Sequence, residues 1–326
     1  MSNSLSMILF DNKMSMIEEE RKHFAEMLQY EYRSSILNED TEIIYEGIFE
    51  SLMNFIKSII DKIIGFFTSI INFITGKKEK EETSDCIQRV NEIMKDIDRY
   101  SDEINNLVKG DKINEDVKIY KIDEWLQKKI PIGALSNSLN SIPLFKMIQS
   151  LEYDKITKET FDQTKNNIGD YYSNFLKSIG IQDTKGVVYK DGDKVGINQD
   201  VLLKSISVKE SIKGKHIDIT VYGCRLTDVK NSLSADNAES DFADCRDNMK
   251  RIRSSLEKSK KDEIITSEKY SIVKKSFQLL YDYTTTCGSI WIKICRRYRS
   301  MIKYNANVLK SIVNKIKTGE KTDNKK

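Results

Sequence analysis

Residues able to do chemistry are few in this chain, and they are poorly gathered. There are two histidines, His23 and His216, and five cysteines, Cys86, Cys224, Cys245, Cys287 and Cys295, with no CxxC pair among them. The sequence has no HExxH, no glycine-rich phosphate loop and no nucleophile elbow, the spacings that would assemble a metal, nucleotide or activated-serine site. Carboxylates are plentiful, yet no spacing singles out a pair for acid–base work. Neither catalysis nor a cofactor is therefore expected. An odd number of cysteines fits reduced thiols better than a disulfide framework. One segment does combine groups suited to recognition. WIKICRRYRSMIKY, 291–304, sets Arg296, Arg297, Arg299 and Lys303 among Trp291, Tyr298 and Tyr304. Bases can neutralise phosphates and release counterions, and aromatic rings can stack on exposed nucleobases. No base-reading module accompanies them, so such binding would be non-specific and salt-sensitive. The same spacing suits a plain core helix, with Trp291, Ile294, Tyr298, Met301 and Ile302 inward and the bases solvated, and that reading is preferred.

The element most strongly specified is IFESLMNFIKSIIDKIIGFFTSIINFI, 48–74. At 100° per residue its polar positions from Glu50 to Asn72 fall within an arc of roughly 140°, and its apolar side chains fill the opposite half. Ile48, Phe49, Leu52, Phe55, Ile56, Ile59, Ile60, Ile63, Phe66, Phe67, Ile70 and Ile74 belong to that apolar face. Such a helix must bury the face against its own core, against a membrane surface, or against another copy or partner, and the period alone does not choose. Its own charges cancel, Glu50 and Asp61 against Lys57 and Lys62, which weakens attraction to anionic lipid. No stretch is long and uncharged enough to be expected to span a bilayer, and residues 1–46 lack the basic start and apolar core of a signal peptide.

Around this helix the period predicts a mainly α protein with a small β insert, an α+β chain. A charged helix is expected over 14–37, an exposed acidic linker over 38–46, and the amphipathic helix over 47–76. A helical region should cover 77–183, with helices at about 85–108 and 157–179 and a loop-rich connection around Pro131 and Pro143. Over 184–226 the period changes to two. GVVYKDGDKVGIN suggests a hairpin turning at Asp191 and Gly192, and HIDITVYGC (216–224) a half-buried strand. A basic helical region, 227–317, and a disordered polar tail, 318–326, complete the chain. Charge is distributed unevenly over these parts. Residues 1–46 carry a net −6 and residues 47–326 a net +9. The last 81 residues alone carry twenty-one bases and eight acids.

The acidic part gives way to the apolar helix at Ile44-Tyr45-Glu46-Gly47, and Ile48-Phe49-Glu50-Ser51 repeats the pattern four residues on. This resembles the processing site of prohead proteases of large tailed bacteriophages, which cut after Glu in an Ile/Leu-x-Glu context before a small residue. The layout of residues 1–80, an acidic leader followed by an EGIF start to an amphipathic helix, is similar to virion proteins of large phages of low-GC Gram-positive hosts. The resemblance implies cleavage after Glu46, with Ile44 and Gly47 flanking the bond, or after Glu50 ahead of Ser51. It further implies a non-enzymatic structural protein inside the head. Its partners would be other virion proteins and the maturation protease, it would assemble as an oligomer, and non-specific DNA would lie beside its basic body. The start Gly-Ile-Phe also looks like short membrane-active amphibian peptides, which implies the alternative of a membrane-active toxin or genome-delivery factor. The plainer reading of Glu46 is a residue near a helix start, with Asp40 or Thr41 as cap.

Overall fold

The computed structural model describes residues 41–76, 117–120, 133–192, 194–211, 235–258 and 267–318, with scattered positions between 81 and 106. At 41–49, 73–74, 154, 235–238, 267–268 and 295 only the backbone is described. The expected helix over 14–37, the expected strand over 216–224, both histidines and residues 319–326 lie outside the described residues. Helix accounts for 78% of what is described, and the rest includes two small two-stranded sheets, so the chain is mainly α with a minor β part.

Three long helices form the frame. Helix α1 spans Thr41–Thr75, six residues earlier than the acidic-linker reading allowed. Ile43, Ile44 and Tyr45 extend the helical pattern upstream, and Glu42 and Glu46 sit in the first turns where carboxylates suit the helix dipole. β1 (Lys118–Tyr120) follows, in a region for which no strand was expected. Around Pro143 the expected loop is instead two short helices, α2 (Ala134–Asn140) and α3 (Pro143–Gln149). Pro143 opens α3 at its first position, where the missing N–H has no helical partner to lose. A 3-10 turn (Tyr153–Lys155) leads to α4 (Lys158–Asn166) and α5 (Ile168–Ser178). The single helix expected over 157–179 is thus interrupted at Asn167, whose ψ of 2° departs from the helical value. Thr157 and Thr160 close a reciprocal capping box at the start of α4.

The hairpin appears where the turn chemistry placed it. β2 (Val188–Asp191) and β3 (Lys194–Ile197) are antiparallel, with Asp191 opposite Lys194 and Gly192 at φ +57° between them. After α6 (Gln199–Ser205), β4 (Lys209–Ser211) pairs antiparallel with β1, Tyr120 opposite Lys209 and Lys118 opposite Ser211. One strand of the β insert thus takes its partner from far upstream. α7 (Ala235–Lys258) and α8 (Ser267–Lys317) complete the frame.

Contacts fix how the long helices run. Phe67 meets the Phe242 ring at 6.0 Å and Asp61 pairs with Arg253 at 3.1 Å, so α1 and α7 are antiparallel. Ser51 lies 3.4 Å from the Tyr270 hydroxyl and Phe66 packs on Gly288, so α1 and α8 run the same way. Rings carry the core from helix to helix: Phe66 on Phe67, Phe242 on Trp291 at 5.6 Å, and Trp291 on Phe175 of α5 at 6.4 Å. α2 is tied in by charge. Its start, at Gly133 with φ +86°, has no local side-chain cap. Asp241 of α7 supplies one, accepting from the N–H groups of Leu135 at 2.8 Å and Ser136 at 3.2 Å.

Candidate functional site

Three groups of residues were singled out by the sequence, and the fold treats them differently. The first is the apolar face of α1. Leu52, Phe55, Ile56, Ile59, Ile60, Ile63, Phe66, Phe67 and Ile70 are all buried, with Met53 and Ile71 beside them. Their cover is α7 on one side and α8 on the other. Of the three environments open to this face, the fold supplies the intramolecular core. Ile74, Ile48 and Phe49 are helical, and their side chains lie outside the description. Among the described residues no helix is long and apolar enough to cross a membrane.

The second group is the segment 44–51. Ile44, Glu46, Gly47, Glu50 and Ser51 all sit in the helical backbone of α1. Glu50 is exposed and Ser51 half-buried. The first described buried residue of α1 is Leu52, so both Glu-Gly and Glu-Ser bonds precede the described core contacts of this helix. A protease takes its substrate extended, so cutting here requires the first turns of α1 to open. Helix ends fray at little cost, whereas the packed middle of α1 does not.

The third group is the basic segment of α8, and here one prediction is corrected. Trp291 is only 1% exposed, sandwiched among Phe175 and Phe242, and offers no ring to a nucleobase. Among the described residues its indole N–H has no hydrogen-bond partner, so packing holds the ring in the core. Helical period explains the difference: Trp291, Ile294, Tyr298, Met301 and Ile302 share the buried side, as the plainer reading had it. Arg296, Arg297, Arg299 and Lys303 are half-buried around the rim. Arg297 donates from Nε to the Ser207 hydroxyl at 2.6 Å and lies 5.4 Å from the Tyr120 ring centre.

The fold adds to this rim three residues that no local pattern announced: Tyr120, Lys209 and Asn305. The side-chain amide of Asn305 accepts from the Tyr120 N–H at 2.8 Å and donates to its C=O at 2.9 Å, fastening β1 onto α8. Tyr120 then meets Tyr304 edge-on at 5.1 Å. Lys209, opposite Tyr120 in the ladder, places its ammonium 4.8 Å from the Tyr120 ring centre and 4.0 Å from that of Tyr304. Only the pairing of two distant strands creates this arrangement, which is why spacing could not find it.

Groups with displaced titration lie mostly in the interior. Burial pushes the thiols of Cys245 and Cys287 up, which makes them poor nucleophiles. Burial likewise raises Tyr172 and Tyr283, whose rings stack at 5.0 Å. The Tyr283 hydroxyl lies 2.5 Å from that of Ser138 and donates to the Tyr171 carbonyl at 3.1 Å. Burial raises Asp241 as well, against the lowering effect of its two backbone hydrogen bonds. Lys293 is lowered by burial, with Asp200 acting the other way. Asp241 and Tyr283 thereby tie α7 and α8 to α2. Among the described residues no group of His, Cys, Asp or Glu is arranged to hold a metal ion. No family model, curated protein or solved structure matches the chain.

Proposed function

We propose that this is a non-enzymatic structural protein of a large tailed phage, housed within the head and matured by cleavage after Glu46. The observation that carries the reading is the coincidence of two boundaries within one short stretch. The Ile-x-Glu motif and the change from net −6 to net +9 both fall at residues 44–47. A cut there would discard the acidic segment while sparing the described apolar contacts between α1, α7 and α8. The product would be a basic helical body suited to lie beside packaged DNA and other virion proteins. Intact mass and N-terminal sequencing of the protein recovered from its native source test this. A start at Gly47 or Ser51 is the expected result. Native protein that retains Met1 or Ser2 would sink the proposal.

A further inference from the structure

We propose that the β1–β4 ribbon and the rim of α8 beneath it form a binding surface for the phosphodiester backbone of nucleic acid, built on Lys209 and Arg297 around the Tyr120 and Tyr304 rings, with Lys303 next to Tyr304 in α8. The surface stands on its own geometry, so its failure would leave the maturation reading untouched. Alternation along the ribbon sorts its charges. Ile119 is buried and stands opposite Glu210, so these two share the inward face. Lys118 and Tyr120, with their partners Ser211 and Lys209, share the other face, which therefore carries two bases and no acid. α8 continues the field. Between Asp282 and Glu320 it holds eight bases and no carboxylate. Among the described residues no carboxylate pairs with Lys209, Arg297 or Lys303. Acids that act on this part of α8 include Asp200, beside Lys293, and Asp96, on Lys317 at 2.8 Å.

What holds these cations explains why they form a surface and not a set of loose side chains. Lys209 is kept in place by two ring faces, and among the described residues no oxygen takes up its ammonium donors. A cation against aromatic rings keeps its full charge and gives up only part of its hydration, so it can still meet a phosphate oxygen. Tyr304 is 37% exposed and adds a ring at the edge of the patch, where an unpaired base can stack. An anionic lipid surface shares the phosphate chemistry but fits less well. The large apolar side chains exposed among the described residues are Tyr189, Val201, Val208 and Tyr304, too few and too dispersed to enter a bilayer.

The test is fluorescence anisotropy of a labelled single-stranded oligothymidylate of roughly 20 nucleotides with the full chain, titrated at 50 and 200 mM salt. With about three phosphates neutralised, affinity should fall tenfold or more across that range. Lys209→Gln with Lys303→Gln should weaken binding at 50 mM salt and lower the salt slope by about 1.4. Lys158→Gln, on α4, should change neither. Lys303→Gln alone, at a half-buried rim position, should lower the slope by about 0.7 and guards against misfolding of the double variant. No binding at 50 mM salt would overturn the proposal, as would a double variant that binds like the parent. Binding to phosphatidylglycerol vesicles that needs Lys209 while the oligonucleotide stays free would overturn it too, in favour of lipid.

Discussion

At the scale of single residues, the same amino acid takes opposite roles according to what its Cβ would meet. Gly65 lies on the exposed side of α1, and a methyl group there would find no atom within 4 Å. No steric contact opposes alanine and backbone entropy favours it, so Gly65→Ala should stabilise the protein by about 0.5–1 kcal/mol, read as a shift in the urea midpoint. Gly288 sits where α8 crosses α1, and its Cβ would come within 3.1 Å of the Phe66 ring. Phe66 is wholly buried and has no room to yield, so the larger Gly288→Val should destabilise by about 1–3 kcal/mol in the same measurement. Asp241 illustrates a different cost. Its carboxyl titrates above the ordinary value of 3.8 because burial penalises the charge more than the Leu135 and Ser136 N–H groups reward it. Below that ordinary value both folded and unfolded chains hold the proton and no penalty exists. As pH rises through the folded pKa, the unfolded chain ionises more readily and the contribution is lost. The stability of the parent minus that of Asp241→Asn should therefore fall as pH is raised above about 4. A difference that grows with pH would show the backbone hydrogen bonds outweighing desolvation.

At the scale of elements, legibility followed the range of the interaction. The α1 face was readable because a helix writes its environment into a 3.6-residue period, and the fully buried Ile60 and Phe66 fall within the predicted stripe. The β2–β3 turn was readable because Gly192 meets a local backbone demand. The break at Asn167 and the helix opened by Pro143 were missed, since tertiary packing chooses between one helix and two short ones. The β1–β4 pair was missed for a stronger reason: three-residue strands carry too little alternation to be seen, and their pairing joins distant segments. Trp291 was placed in a candidate surface by composition, and its period, which put it in the core, proved the better guide. What the period could not say is what covers α1. Because α7 and α8 do so, the intact chain should leave anionic vesicles sealed at micromolar concentrations where the isolated 47–76 peptide releases their dye. Leakage by the intact chain, lost on Ile60→Lys with the fold preserved by circular dichroism, would mean that α1 leaves its core at a bilayer.

For the whole molecule, the question is whether the acidic segment belongs to the folded body or merely precedes it. The described core of α1 begins at Leu52 and is closed by Phe242, Cys245 and Met249 of α7 and by Val273, Phe277 and Leu280 of α8. All of these lie beyond Glu46. A chain beginning at Gly47 keeps every one of these, and of α1 it loses the first six positions. It also sheds a net −6 and leaves a body of net +9. Self-repulsion among like charges then rises modestly, while attraction to polyanions rises throughout the molecule. The 47–326 chain should therefore show the same helical spectrum as the full chain and melt within about 5 °C of it. It should also leave a cation exchanger at higher salt. A chain beginning at Ile64 is the contrast, because it removes Leu52, Phe55, Ile56, Ile59, Ile60 and Ile63 and strips α7 and α8 of half their cover. At about 1.5–3 kcal/mol for each lost side chain that deletion exceeds the stability of an ordinary domain, so it should yield no cooperative melt. If the 47–326 chain fails in the same way, the acidic segment is part of the folding unit, and maturation after Glu46 would dismantle the protein it was meant to release.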